Sequence, residues 1–123
     1  MKQFLLLLHE DIEKMSNLSP KEMEKLANAH MAWAGKLAES GHLISGDGLQ
    51  EKGVLISGQD AVIKDGPYLE SKEIIGGYYL LQAENIETIV EIAKECPCHI
   101  WGGTTEVRQI MEMEDYEQSN CQN

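Results

Sequence analysis

The sequence predicts one α+β domain in which four antiparallel strands form a sheet and two helices cover one of its faces. Two observations lead to this prediction. Apolar runs of strand length alternate with two segments of helical periodicity, and the chain order is strand, helix, strand, hairpin, strand, helix, strand. With 123 residues and 42% hydrophobic composition, the chain has the length of a single domain with its own core. We assign residues 1–113 to the domain and residues 114–123 to a polar, disordered tail.

The first strand and the first helix have clear signals. Residues 3–8 are apolar without alternation, which indicates a strand covered on both faces, and residues 9–18 read as a polar connection. Ser19 and Glu22 form a capping box around Pro20, and Gly41 ends the helix. Its apolar stripe consists of Met23, Leu26, Ala27, His30, Trp33, Ala34, Leu37 and Ala38.

The remaining elements follow from apolar runs and breakers. Turn signals at Gly58 and at Asp65-Gly66-Pro67 separate the strands, and Pro97 ends the second helix. In order, we predict a strand at residues 42–46, a hairpin at 54–63, a strand at 74–82, a helix at 86–95 capped by Asn85, and a strand at 105–113.

This order is that of the split βαβ, or ferredoxin-like, fold, a βαββαβ arrangement with an inserted hairpin. Two helices cover only one face of such a sheet, yet the strand at 74–82 is apolar at both parities. We place Ile75, Tyr79 and Leu81 on one face and Ile74, Tyr78 and Leu80 on the other. A second copy of the sheet would cover the free face, so we predict a homodimer with facing sheets.

The charge balance excludes several classes of partner. The chain has 21 acidic and 10 basic residues, for a net charge of −11. We therefore expect no nucleic acid and no anionic membrane as partner, because both require a basic surface. No run approaches the roughly 20 apolar residues of a membrane span, and we expect a cytoplasmic protein.

The cysteines predict neither a disulfide framework nor a metal site. Cys96 and Cys98 form a C-x-C pair, and Cys121 lies in the polar tail. A zinc site needs about four ligands, and a second ligand cluster is missing. We expect buried thiols, no metal and no cofactor.

A charged patch followed by a glycine pair suggests a ligand site near residues 70–79. Glu70, Lys72 and Glu73 are either a solvated strand edge or the mouth of a pocket, and we favour the pocket because exposed ion pairs contribute at most about 1 kcal/mol. Glycines within a strand mark a bulge or a close backbone approach, so we expect Gly76 to contact a ligand or a partner. Tyr78 and Tyr79 are core or interface aromatics with hydroxyls available to the pocket.

The same stretch resembles a known family. The run Asp65-Gly66-Pro67-Tyr68, followed by Glu70, Lys72-Glu73 and Gly76-Gly77-Tyr78, is similar to the signature of the DGPF group of YCII-related proteins, with Tyr68 in place of the usual Phe. Gly46-Asp47-Gly48-Leu49 and Trp101-Gly102-Gly103-Thr104 with Glu106-Val107-Arg108 resemble further elements of the group. The resemblance implies a dimeric α/β barrel, and some members of the group are associated with sigma factors.

The resemblance also bears on the first helix. The YciI-like branch carries a His-Asp pair at a pocket between sheet and helix. His30 matches the histidine, whereas Cys96 stands at the aspartate position. We expect His30 to be either a general acid or base or a core histidine. Asp65 is either a turn residue or a substitute partner for His30.

Two functions of different classes follow. The first is an enzyme that binds a small polar molecule, with His30 and Asp65 in acid/base roles and the charged patch orienting the substrate. The second is a non-catalytic dimeric module that senses a ligand or contacts a regulatory protein. The enzyme hypothesis requires His30 to open into a cleft, within about 3 Å of a carboxylate or linked to one by a single water, whereas a His30 sealed in the core favours the module.

Overall fold

The computed structural model describes residues 1–66 and 73–122, apart from the side chains of Asp65, Gly66 and residues 118–122. The elements are β1 (Lys2–Asp11), α1 (Ile12–Ser16), α2 (Pro20–Glu39), β2 (Leu43–Gly48), β3 (Gly53–Ser57), β4 (Val62–Gly66), β5 (Glu73–Ala83), α3 (Ile86–Ala93), a 3-10 helix (Pro97–Trp101), β6 (Thr104–Gln109) and α4 (Met113–Gln122). The predicted elements occur in the predicted order, and three further helical segments, α1, the 3-10 helix and α4, are added to them.

The main sheet has the strand order β2-β5-β1-β6, and every neighbouring pair is antiparallel. The central strands β1 and β5 are therefore sequence-distant, and β2 and β6 are the edges. The strands β3 and β4 form a separate two-stranded hairpin. This topology confirms the α+β, ferredoxin-like prediction with its inserted hairpin.

One face of the sheet carries the core. Alternate residues of β1 and β5 meet α2, α3 and the 3-10 helix there. The buried cluster consists of Phe4, Leu6, Leu8, Trp33, Leu37, Tyr79, Leu81, Ala83, Ile89, Ala93, Cys96 and Cys98. Because α2 lies on this face, its apolar stripe directs Leu26, Trp33 and Leu37 into the core.

The longest helix, α2, begins and ends at the predicted signals. Ser19 and Glu22 make the reciprocal capping box, with the Ser19 hydroxyl accepting from the Glu22 amide at 3.1 Å. Gly41, with φ of 81°, follows the helix in a left-handed conformation that favours glycine. Among the described residues, no helix is long and apolar enough to cross a membrane; the cytoplasmic location stays a prediction.

The first strand is longer than predicted. We expected a polar connection from residue 9, but β1 continues to Asp11 because Glu10 pairs with Ile74 and Asp11 pairs with Glu73. Asp11 then caps α1, since its carboxylate accepts a hydrogen bond from the Lys14 amide at 3.0 Å. The polar residues of this stretch are thus strand and cap residues.

A bulge in β5 corrects the predicted side-chain pattern. Leu8 pairs with Gly77 but His9 pairs with Ile75, so Gly76 is the extra residue of the strand. Ile75 consequently shares the face of His9, opposite to Tyr79, whereas strict alternation had placed Ile75 and Tyr79 together. The expected bulge at the glycine pair is present, and its consequence is the change of face.

The second face of the sheet has no cover from the described part of the chain. Leu5 lies opposite Leu80 across the central strands, and both are half-buried, as is Leu7. The hairpin is also apolar and open to solvent, with Ile56 65% and Ile63 66% exposed. The isolated chain therefore leaves apolar surface that a partner could cover.

The polar C-terminal segment forms helix α4, where we predicted a disordered tail. The Asp115 carboxylate accepts a hydrogen bond from the Glu112 amide at 2.9 Å, which caps the helix start. Glu114 and Asp115 also place negative charge in the first turn, where the helix dipole favours it. The division of the chain into one domain and a tail stays a prediction.

Candidate functional site

A cavity of about 430 Å³ lies between α2 and the end of the sheet formed by β1, β2 and β5. Its volume suits a small-molecule ligand. Apolar side chains of α2 form one wall, and glycines of two adjacent strands contribute to the lining. The lining consists of Leu8, Glu10, Leu26, Ala27, His30, Met31, Ala34, Gly46, Asp47, Gly48, Gly76, Gly77, Tyr78 and Tyr79.

His30 is hydrogen-bonded to Tyr79 within this cavity. The distance between His30 Nδ1 and the Tyr79 hydroxyl oxygen is 2.8 Å. The two rings are also stacked, with an interplanar angle of 19° and centroids 6.1 Å apart. Burial lowers the pKa of His30 below its ordinary 6.5, because desolvation disfavours the imidazolium. The histidine is therefore half-buried, neutral near pH 7 and open to a ligand.

Tyr79 is held rigidly from two sides. Trp33 packs edge-on against its ring, with centroids 5.1 Å apart and an interplanar angle of 88°. On the other side, a Cβ at Gly46 would lie 2.7 Å from Tyr79 Cδ1, so only glycine leaves room for the ring. Burial, with the nearby Cys96 and Cys98, raises the pKa of Tyr79 to about 12. The hydroxyl therefore stays protonated at neutral pH.

The sequence reasoning missed two acidic residues of the cavity lining, Asp47 and Glu10. Glu10 lies near the end of β1, and its carboxylate occupies the space where Gly76 would carry a Cβ. Burial raises the pKa of Glu10 above its usual 4.5. The sequence did contain a signal for Glu10. Alternate residues of a strand share a face, so Glu10 lies on the same face of β1 as Phe4, Leu6 and Leu8.

A second, water-sized cavity of about 10 Å³ lies on the other side of Glu10, next to Cys98 and Trp101. Cys96 and Cys98 are both buried and free, and their thiols hydrogen-bond to each other. That hydrogen bond, together with burial, raises the pKa of Cys98. Both cysteines belong to the buried core cluster.

Four of the residues predicted for the site line the cavity: His30, Gly76, Tyr78 and Tyr79. Glu73 lies outside this lining, exposed at the start of β5 opposite Asp11. Asp65 lies in β4 with its backbone opposite Val54, but its side chain is outside the described part. Glu70 and Lys72 also lie outside the described residues.

The two tyrosines have different environments. Tyr79 faces the helices, whereas Tyr78 is directed to the open face of the sheet by strand alternation. The Tyr78 hydroxyl donates to Asp47 Oδ2 at 3.3 Å, across the β2-β5 pair. Tyr78 and Asp47 therefore meet the cavity at its edge, and Tyr79 belongs to its interior.

The described residues contain no group of three or more His, Cys, Asp or Glu side chains able to hold a metal ion. The described lining offers one imidazole, that of His30, two phenols, those of Tyr78 and Tyr79, and two carboxylates, those of Glu10 and Asp47. Such a set binds polar ligands and transfers protons.

Comparison with known proteins identifies one family. The model of the YCII-related domain matches residues 3–114, which include the main sheet apart from Lys2 and every residue named in the cavity lining. No curated protein matches the chain. The match confirms the family resemblance seen in the sequence, and the DGPF-type subgroup stays a prediction.

Proposed function

The chain belongs to the YCII-related family, and we propose that it binds a small polar molecule in the cavity between the sheet and α2, with His30 in an acid/base role. The observation that carries this proposal is the 2.8 Å hydrogen bond between His30 Nδ1 and the Tyr79 hydroxyl. It lies inside a cavity of ligand size, on rigid elements rather than on a loop.

The His30-Tyr79 pair can present Nε2 to a ligand in two ways. When the Tyr79 hydroxyl donates to Nδ1, His30 Nε2 carries the proton and acts as a hydrogen-bond donor. When Nδ1–H donates to the Tyr79 oxygen, Nε2 has a free lone pair and acts as a base. The lowered pKa of His30 keeps the neutral imidazole populated near pH 7.

We retain Asp65, Glu70, Lys72 and Glu73 as proposed contributors to the ligand site. The support is their position in the sequence, because residues 70–73 lead directly to Gly76 of the cavity lining. Their acidic and basic groups would act at the mouth of the cavity, while His30 acts in its interior.

A fragment screen by protein NMR tests the binding proposal. Ala27 lines the cavity, so Ala27→Trp fills the space, whereas Ala38 lies on the same helix outside the lining and Ala38→Trp is the matched control. We expect polar fragments to shift the His30 and Tyr79 resonances in wild type and in the control, but not in Ala27→Trp. Unchanged binding by Ala27→Trp, or no fragment that perturbs the cavity, would contradict the proposal.

The acid/base role is separable from binding. A ligand that exchanges a proton with His30 shifts the imidazole titration when it binds, and the Tyr79→Phe variant loses this coupling while it retains the cavity. A ligand that binds without any effect on the His30 titration would favour the alternative function, a non-catalytic ligand-sensing module.

We also propose that the protein is a homodimer with facing sheets. The support is the uncovered face around Leu5, Leu7 and Leu80, together with the exposed apolar hairpin. A second copy offers a surface of the same shape and polarity, and such two-fold interfaces are the commonest among oligomers.

A further inference from the structure

The Glu10 carboxylate is built into the floor of the larger cavity. Glu10 follows Leu8 on the helix-facing side of β1, and it lines both the larger cavity and the water-sized cavity beside it. A carboxylate in this position contacts whatever occupies the interior of the larger cavity.

The backbone of β5 leaves room for this carboxylate. Gly76 is the bulged residue of the strand, and a Cβ there would overlap the Glu10 carboxyl group. A bulge and a missing side chain both weaken a strand. The irregularity of β5 therefore lies at Gly76, next to the Glu10 carboxylate.

Glu10 has no compensating partner in the described part of the chain. No described group forms an ion pair with its carboxylate or donates a hydrogen bond to it. The described lining of the larger cavity also contains no lysine and no arginine. Half-burial of a lone carboxylate disfavours its charged form, as the raised pKa of Glu10 indicates.

We propose that the larger cavity selects a ligand with a protonated amine, and that Glu10 is the counter-ion that binds this group. This inference rests on the proposed function of the cavity and names its ligand class. A cation restores to Glu10 the interaction lost on burial, whereas an anionic ligand would be repelled. The net charge of −11 also attracts cations to the protein.

An organic ammonium fits the site better than a metal ion. The described residues contain no group of three metal-ligating side chains, and the two carboxylates of the described lining, those of Glu10 and Asp47, are too few ligands for a calcium or magnesium site. The apolar wall contributed by Leu8, Leu26, Ala27 and Ala34 suits the hydrocarbon part of an amine.

Three probes of similar size test the inference: benzylammonium, benzyl alcohol and benzoate. Their binding is followed by chemical shifts of the cavity residues at constant pH and low salt. We expect wild type to bind benzylammonium at least about tenfold more tightly than benzoate, with benzyl alcohol between them. The amine affinity should fall as salt is added, and the alcohol affinity should not.

Glu10→Gln removes the charge and keeps the shape of the side chain. Glu84→Gln makes the same change in net charge at the opposite end of the sheet, where Ala83 pairs with Lys2, and is the matched control. We expect Glu10→Gln to lose the preference for benzylammonium while it retains benzyl alcohol, and Glu84→Gln to behave as wild type.

The outcomes separate this inference from the function on which it rests. Two results would contradict the proposed ammonium ligand but not binding in the cavity. One is a preference for benzoate, and the other is an amine affinity that is unchanged in Glu10→Gln and insensitive to salt. Failure of all three probes to perturb the cavity of the folded protein counts against both proposals.

Discussion

The carboxylate of Glu10 lies against Gly76 and occupies the space where any other residue at position 76 would place its Cβ. The contact joins two features that are separate in the sequence, a polar residue at the end of β1 and a bulged glycine in β5.

Gly76→Ala is expected to displace the Glu10 carboxylate. The new Cβ overlaps it, and the flexible side chain yields by turning toward solvent. We expect the pKa of Glu10 to fall toward its usual 4.5, measured by NMR titration of the side-chain carboxyl. In the control Gly48→Ala, the nearest atom is 3.9 Å from the new Cβ, so the Glu10 titration should be unchanged. An unaltered titration in Gly76→Ala would contradict the contact.

Gly46→Ala is expected to destabilise the protein through Tyr79. The Cβ would lie 2.7 Å from the Tyr79 ring and 3.0 Å from the Tyr78 carbonyl oxygen, and Trp33 prevents the ring from moving away. We expect a loss of roughly 1–3 kcal/mol in the free energy of unfolding, measured with denaturant. Gly53→Ala, with no atom within 4 Å of the new Cβ, is the control. Equal stability of the two variants would rule out the steric role of Gly46.

His30 is expected to make stability fall on acidification. Its pKa in the folded protein is below the ordinary 6.5, so the unfolded chain binds the proton first as pH drops through 6.5. Wild type therefore loses stability from that value down to the folded pKa. The difference in free energy of unfolding between wild type and His30→Gln should shrink over this window. A difference that is constant with pH would indicate that burial does not perturb His30.

Glu10 is expected to have the opposite effect on the pH dependence of stability, because it lowers stability as pH rises. Its folded pKa is raised, so its unfavourable contribution is absent below 4.5 and appears as pH rises through the folded pKa. We expect Glu10→Gln to be more stable than wild type at neutral pH, with the gain vanishing below pH 4.5. Thermal unfolding at several pH values measures this, with Glu84→Gln as the control. A Glu10→Gln variant less stable than wild type at neutral pH would show that the carboxylate has a stabilising partner.

Leu80→Glu is expected to convert a dimer into a monomer. Leu80 and Leu5 meet on the uncovered face, where a buried charge at the interface would be unpaired. Sedimentation equilibrium should give a dimer for wild type and a monomer for this variant. Ile100→Glu, on the 3-10 helix at a side chain 71% exposed, should remain dimeric. A monomeric wild type would refute the facing-sheet homodimer.

The sequence alone determined the order of the elements, the main caps and the place of His30. These features depend on interactions within a few residues, such as the Ser19-Glu22 capping box, or on the spacing of apolar residues along α2. Local signals are sufficient for them, because hydrogen bonds at a helix end and burial of a helix stripe need no knowledge of distant strands.

Only the tertiary structure decided how the site is assembled. Tyr79 as the partner of His30, the face of Ile75 and the role of Glu10 all depend on how β1 pairs with β5 around a bulge. A one-residue insertion in a strand reverses the faces of the residues beyond it. The pairing of strands about 70 residues apart cannot be predicted from the local spacing of apolar residues. The contact between the Glu10 carboxylate and Gly76 depends on the same pairing.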